Sequence, residues 1–392
     1  MNSKDLILRP AKLFAFLLIP ILLTSCKTTT ELKSIQQVEQ LIKKVKNNPE
    51  DVVGVIEQTK RSKQAITTDV AVVKSLLKEL AALVGKEWGE SETQLPSQKK
   101  YVKYSNDYQA RAIVDFSSGY VTVETIATSQ TSNKLKQAII TTLLTPADPS
   151  QNDIFSDQSP KLGAEPFLYN QVVDQDNKAI RYQWRANRFA EYLLTHKKTQ
   201  RRANNKTIHQ VRFSLVNDHT KFRQLQFSEY VLASSKRYQI QPELIYAIIE
   251  TESSFNPYAV SHANAYGLMQ VVPATAGRDV YDKVKKRSGQ PTKATLFNPQ
   301  QNIDIGTAYL SILKQNYLAK ISHHQNKEYA VISAYNGGAG NVLKTFSHDR
   351  NTAVSNINKL EPASVYWALT TKHPKAESRN YLKKVKTNKA KY

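Results

Sequence analysis

Two carboxylates stand two residues apart, Glu250 and Glu252, within the stretch 242–270, PELIYAIIETESSFNPYAVSHANAYGLMQ. On a helix advancing about 100° per residue, Leu244, Ile245, Ile248 and Ile249 form one apolar stripe, and Glu252 joins it three and four positions beyond the last two. Glu250 is turned about 200° away and is expected to face solvent. A carboxyl among apolar neighbours loses solvation of its charged form. Its pKa rises, and it keeps its proton near neutrality, as a general acid must. Glu252 is therefore the lead catalytic candidate. No Asp or Glu lies between Glu252 and Asp279, so this segment supplies no partner carboxylate.

The elements that would position this acid are legible in outline. Pro242 suits a first helical turn, where no amide donor is needed, and Asn256-Pro257 ends the helix, because the residue before a proline is pushed out of the α region. Glu252 is thus expected near a helix end, at the lip of a cleft. Downstream, Gly267-Leu268-Met269-Gln270 joins a glycine that lets backbone approach closely to an apolar pair and an amide. A helix over 329–335 ends in Asn336-Gly337-Gly338, where glycine permits a left-handed exit. Tyr335 offers an aromatic face with a hydroxyl and Asn336 both a donor and an acceptor, the groups that sugars take.

In order and spacing, Glu252-Ser253, Asn256-Pro257, Ser261, Gly267-Leu268-Met269-Gln270 and Ala334-Tyr335-Asn336-Gly337-Gly338 resemble the soluble lytic transglycosylase family, with its goose-type lysozyme-like domain. Glu377-Ser378-Arg379-Asn380-Tyr381 is similar to the family's C-terminal tyrosine motif. The string TESSFNPYAV at 251–260, the long preceding region and the N-terminal segment resemble the membrane-bound branch of that family. The resemblance implies cleavage of the β-1,4 bond between N-acetylmuramic acid and N-acetylglucosamine in peptidoglycan glycan strands, ending in a 1,6-anhydromuramyl product without water. Glu252 would act as acid and then base, with Tyr381 as a second catalytic candidate. Ser253, Ser261, Met269, Gln270, Tyr335 and Asn336 would contact substrate, Met269 by lining the groove and Ser253 by positioning Glu252. A lone acid suits that reaction, since the usual glycosidase routes use two carboxylates. A lysozyme-type hydrolase, or a catalytically idle peptidoglycan-binding lipoprotein, would share the groove.

Neither cofactor nor metal is implied. The eight histidines form no paired metal-ligand spacing; His209 reads as a solvated edge residue of a strand, and His323-His324 lies in a polar loop without a supporting Cys or Asp. The chain of 392 residues has room for two domains, and its net charge of +22 favours anionic surroundings such as peptidoglycan carboxylates and lipid head groups. Dispersed basic residues without a recognition motif argue against nucleic acid. Only 372–392 is dense, with eight Lys or Arg against one Glu, and reads either as a solvated tail or as a wall-binding patch.

Lys4, Arg9 and Lys12 precede an apolar run over 13–23, long enough for a signal-peptide core and too short to span a bilayer. Leu23-Thr24-Ser25-Cys26 follows and resembles the lipobox of bacterial lipoproteins, so residues 1–25 are expected to be a signal peptide removed before an acylated Cys26, the chain's single cysteine. With Lys27 next, this resembles the pattern of an outer-membrane lipoprotein facing the periplasm of a Gram-negative bacterium.

Residues 26–217 read as an α+β N-terminal domain of unknown role. A helical period runs through 28–89, a hairpin joins 112–116 to 120–126 across Ser117-Ser118-Gly119, a helix over 135–144 stops at Pro146, a loop fills 147–177, and a helix (184–194) and a strand (207–216) follow, with Ile208 and either Val211 or Phe213 inward. Residues 218–392 read as a mostly α-helical, lysozyme-like catalytic domain: one amphipathic helix over 222–238 behind the Glu252 helix, a charged excursion over 279–295, and a helix capped by Asn298 and Pro299, with Gly306 placed for close packing. Tyr366 and Trp367 suit either a sugar subsite or the core.

Overall fold

The hairpin expected from the alternation over 112–126 is part of a larger sheet: five antiparallel strands, β1 (Lys100–Ser105), β2 (Ala110–Asp115), β3 (Tyr120–Thr125), β4 (Thr199–Ala203) and β5 (Lys206–Ser214), pair in the order β1-β2-β3-β5-β4. The structure, a computed structural model, describes residues 72–392. Cys26, the signal segment and the helical expectations over 28–71 lie outside the described residues. The turn between β2 and β3 is the expected one, with the Asp115 carboxylate accepting from the amides of Ser117 and Ser118.

Ile208 and Val211 are an odd number of residues apart on β5 and so point to opposite faces of the sheet, and both faces are covered. On one, α2 (Thr131–Leu144) and α3 (Gln183–His196) bring Leu135, Ile139 and Leu193 to the cluster that holds Val114, Val123 and Val211. On the other, α1 (Val72–Trp88) lays Leu80, Val84 and Trp88 over Val102, Tyr104 and Ile208. Because β5 is paired on both sides, His209 is an interior strand residue rather than an edge one, half-buried opposite Gln200 and Thr125.

The helical part begins with α4 (His219–Gln226) and α5 (Ser228–Tyr238), two helices where one was expected, since buried Phe227 breaks the ladder with a non-helical backbone. Next come α6 (Pro242–Ser253), α7 (Arg278–Lys283), α8 (Lys293–Phe297), α9 (Pro299–Ile312) and α10 (His324–Gly337), the last capped by His323. The excursion over 279–295 therefore carries helix at both ends. Completing the chain are α11 (Ala339–Lys344), α12 (Arg350–Lys359), α13 (Pro362–Thr371) and α14 (Ala376–Lys389).

The basic C-terminal segment is not a solvated tail. α14 packs along α6 with Leu382 and Val385 fully buried, its lysines left on the outer face. Beyond it, Lys391 Nζ and the Tyr392 hydroxyl reach the Glu250 carboxylate at 2.6 and 2.9 Å. Glu250 is thus held by the end of the chain instead of facing bulk water.

One apolar cluster runs from the sheet into the helices. Tyr258, 1% exposed, sets its ring 5.1 Å from Tyr101 and 5.5 Å from Phe167, and its hydroxyl donates to Pro146 O at 2.6 Å. The segment that follows the catalytic-candidate helix is therefore built into the core of the sheet.

Candidate active site

Glu252 lies in the last turn of α6 and is 8% exposed. Burial pushes its pKa up to about 8; the Tyr381 hydroxyl pulls it down, the Glu377 carboxylate pushes it up and Lys99 pulls it down by smaller amounts. At neutral pH the group is a carboxylic acid.

Tyr381, on α14, is 5% exposed. Its hydroxyl is close enough to the Glu252 carboxyl to favour the ionised form, yet meets no acceptor at hydrogen-bond geometry. Burial, followed by the fields of Glu252 and Tyr335, holds the phenol well above its ordinary pKa, so it stays neutral. Tyr335, near the end of α10, is a third member: its hydroxyl donates to Met269 O at 2.8 Å, and its ring lies 5.7 Å from that of Tyr309. Tyr309 in turn lines a cleft of about 410 Å³ shared with Tyr317, Asp279 and Arg350.

The loop carrying Gly267 to Gln270 is fixed by a residue that the sequence reading did not single out. Asn302, fully buried on α9, accepts from Met269 N at 2.8 Å and donates to Tyr266 O and Leu296 O, each at 2.8 Å. All of its side-chain capacity on that face is used on backbone, so it acts as a bracket. Gly267 is required beneath it: with φ at +71°, a Cβ there would collide with Asn302 Nδ2 and Leu296 O. An Asn one position before Ile303 on the apolar stripe of α9 was the available signal.

Gln270 emerges from the loop in the left-handed region (φ +48°) and is 8% exposed. Its Nε2 donates to Gly267 O at 3.0 Å, while Oε1 is buried with no hydrogen-bond partner. Ser253 is fully buried, and its hydroxyl lies 3.0 Å from Ile249 O and 2.8 Å from Leu268 O, joining the helix of Glu252 to the loop of Gln270. Met269 turns its side chain inward, its sulfur against Gly306, and does not line an open groove. The close packing expected at Gly306 is with this thioether. Ser261 is half-buried and its Oγ accepts from Ala263 N and Ala265 N, shaping its own turn. Asn336 is half-buried and braces the first turn of α14: its Nδ2 donates to Glu377 Oε1 at 3.2 Å, and its Oδ1 accepts from Ser378 Oγ at 2.6 Å.

Glu252, Gln270, Tyr335 and Tyr381 thus converge from four elements, with Asn336 alongside. Ser253 and Met269 support from beneath. Trp367 is 54% exposed with Lys372 over its ring, so it is not a core residue, and Tyr366 packs half-buried on Tyr329. Glu377 is the carboxylate that the local reading around Glu252 missed, because it comes from a segment more than a hundred residues away.

Backbone geometry at the end of α6 keeps Glu252 at this junction. Ser254 and Phe255 both take left-handed conformations, φ +51° and +59°, costly for residues with a Cβ. Arg223, 1% exposed, donates from Nε to Ser254 O at 2.9 Å; Asn256 accepts from Tyr258 N at 3.0 Å and donates to Gln98 O at 3.1 Å. The exit is clamped from the sheet side. Among the described residues no group of His, Cys, Asp and Glu could hold a metal ion.

Residues 32–226 match the family described as membrane-bound lytic murein transglycosylase C, N-terminal domain, and residues 229–358 match the transglycosylase SLT domain. The chain is 47% identical over 330 residues to the membrane-bound lytic murein transglycosylase C of Yersinia enterocolitica, covering 84% of this chain and 92% of that protein. It is 48% identical over 306 residues to that of Yersinia pestis, covering 78% and 85%. Among solved structures, the 70 kDa soluble lytic transglycosylase of Escherichia coli is 28% identical, over 44% of this chain and 25% of that one, with a TM-score of 0.33.

Proposed function

We propose, from the premise that this chain belongs to the membrane-bound lytic murein transglycosylase C family and is an enzyme acting on peptidoglycan, that it cleaves the β-1,4 bond between N-acetylmuramic acid and N-acetylglucosamine without water. The observation that carries this reading is the buried acid: Glu252, with its pKa pushed up to about 8, holds a proton at neutral pH, and the carboxylate whose charge acts on it, Glu377, is exposed and engaged with Asn336.

The proton of Glu252 passes to the glycosidic oxygen as the bond to the muramyl C1 breaks, and the N-acetylglucosamine side leaves as an alcohol. The carboxylate then takes the proton of the same muramyl sugar's C6 hydroxyl, whose oxygen closes on C1 as a 1,6-anhydro ring. One proton leaves Glu252 and one returns, so no water is consumed. Tyr381, a neutral phenol beside the carboxyl, and the nearby Lys99 ammonium both favour the ionised form during the interval between the two steps. The unpartnered Gln270 Oε1 suits an amide N–H such as that of an acetamido sugar. Tyr335 supplies wall and Asn336 rim, whereas Ser253 and Met269 position the parts.

Digestion of purified sacculi with mass analysis of the muropeptides tests this. Products lighter by one water than the reducing-end sugars are expected, and Glu252→Gln should fold and release none. Reducing ends from the wild type would establish a hydrolase instead. The relatives' membrane-bound name and the lipobox-like Leu23-Thr24-Ser25-Cys26 support an acyl anchor at Cys26 in the outer membrane. Cys26→Ser should move the protein to the soluble fraction of cells, and its retention with membranes would overturn the anchor.

A further inference from the structure

On the side of α6 that carries Glu250 and Thr251, a second cleft of about 340 Å³ opens between the sheet part and α14. Three lysines line it: Lys99, from the segment leading into β1, and Lys383 and Lys384, from the turn of α14 next to Tyr381. None of the three ammonium groups has an ion pair or a side-chain hydrogen bond among the described residues. The one carboxylate on the wall, Glu250, is already neutralised by Lys391. The remaining wall is neutral and polar, Thr251, Thr387 and Asn388, with Asn388 donating to Thr251 at 3.0 Å.

Lys99 is half-buried, and burial lowers its pKa, with Lys384 adding to the same effect; Glu250 and Glu252 act in the opposite sense. It is therefore within electrostatic reach of the catalytic acid. Its backbone is anchored there, because the adjacent Gln98 carbonyl accepts from Asn256 at the exit of α6. Three like charges held around one opening, with the single carboxylate of the wall already paired to Lys391, leave a site that an anion completes.

We propose that this cleft binds the carboxylates of the peptide stem carried by the muramyl sugar, so that the sheet part of the chain takes part in selecting peptide-bearing glycan. The inference rests on the reading of the chain as a peptidoglycan-cleaving enzyme. That substrate places short, carboxylate-bearing peptides beside the bond to be cut, which matches an exposed cationic cleft one helix turn from Tyr381.

The test compares glycan strands that keep their stems with strands stripped of them, using the full-length protein. Wild type should favour the peptide-bearing strands in kcat/KM, and the Lys99→Ala/Lys383→Ala/Lys384→Ala variant should lose about fivefold to tenfold of that ratio, the size expected of a few partly exposed ion pairs. The Arg version of the triple variant should keep it. The Glu252→Gln protein, sedimented with the two glycans, reads the same preference without turnover. If wild type cut neither glycan, the enzymatic reading would fail while sedimentation still decided the cleft. An unchanged ratio in the Ala variant, an equal loss on both glycans, or lysine-dependent binding to phosphatidylglycerol vesicles in place of stems would overturn the proposal.

Discussion

Replacing Glu252 by Gln should stabilise the fold, and by an amount that depends on pH. The carboxyl has an ordinary pKa of 4.5 in the unfolded chain and about 8 in the fold. Between those values the folded state holds a proton that the unfolded state has released, so stability falls as pH rises through the window and levels off above it. At about 1.4 kcal/mol per tenfold in the equilibrium constant, full ionisation of Glu252 in place costs about 5 kcal/mol. Gln keeps the shape of the protonated acid and has no charge to lose. The variant's advantage should therefore grow from about 1 kcal/mol at pH 5 to about 5 kcal/mol at pH 9. Urea unfolding of both proteins, followed by tryptophan fluorescence, measures it directly. Two curves of stability against pH that ran parallel, diverging by less than about 1 kcal/mol, would refute the burial argument and with it the protonated acid. The same titration sets the activity profile, with cleavage by the wild type holding to about pH 8 and falling above it.

Tyr381→Phe removes a hydroxyl that lies beside the Glu252 carboxyl without meeting an acceptor at full hydrogen-bond geometry, so stability should stay within about 0.5 kcal/mol while cleavage falls at least tenfold and its alkaline limit moves to higher pH. A rate profile over pH 5 to 9 on solubilised glycan checks both, and a limit that moved to lower pH would contradict the assigned sense of the hydroxyl. Asn302→Ala takes the Asn302 partner from the buried Met269 amide and Leu296 carbonyl, Tyr266 O keeping its bond from Val271 N, so a loss of about 2–4 kcal/mol is expected in denaturant unfolding, with KM rising as the Gln270 loop loosens. A loss below about 1 kcal/mol would show that the loop holds its shape unaided.

The helix of Glu252 was legible because its signals agree: Pro242 at the start, Asn256-Pro257 past the end, and an apolar stripe whose phase fixes the face of Glu252. Where local and distant forces part company, the sequence misleads. Glu250 was given to solvent by helix phase alone, and only the fold shows Lys391 and Tyr392 arriving from the far end of the chain. β4, Thr-Gln-Arg-Arg-Ala, has no apolar alternation to read; its Arg201 is satisfied instead by Glu92 and Glu124. The 372–392 segment is dominated by charge, yet Tyr381, Leu382 and Val385 at three- and four-residue spacing suffice to bury one side of it. Met269 was placed on the groove because of its neighbours in the motif. Backbone direction in a tight loop, set here by the Asn302 bracket, decides which side chain turns inward.

The Tyr258 ring, wedged between Tyr101 and Phe167, makes the sheet a foundation for the chemistry rather than an appendage. Cut away from residues before 218, the helices would show water an aromatic face that now has partners, and Arg223 would lose the Gln171 acceptor at 2.7 Å that helps to hold it on the Ser254 carbonyl. The left-handed pair after Glu252 would then relax towards commoner backbone shapes, swinging the acid off its mark. In this chain the severed half would be a lysozyme-like body with its trigger misaligned.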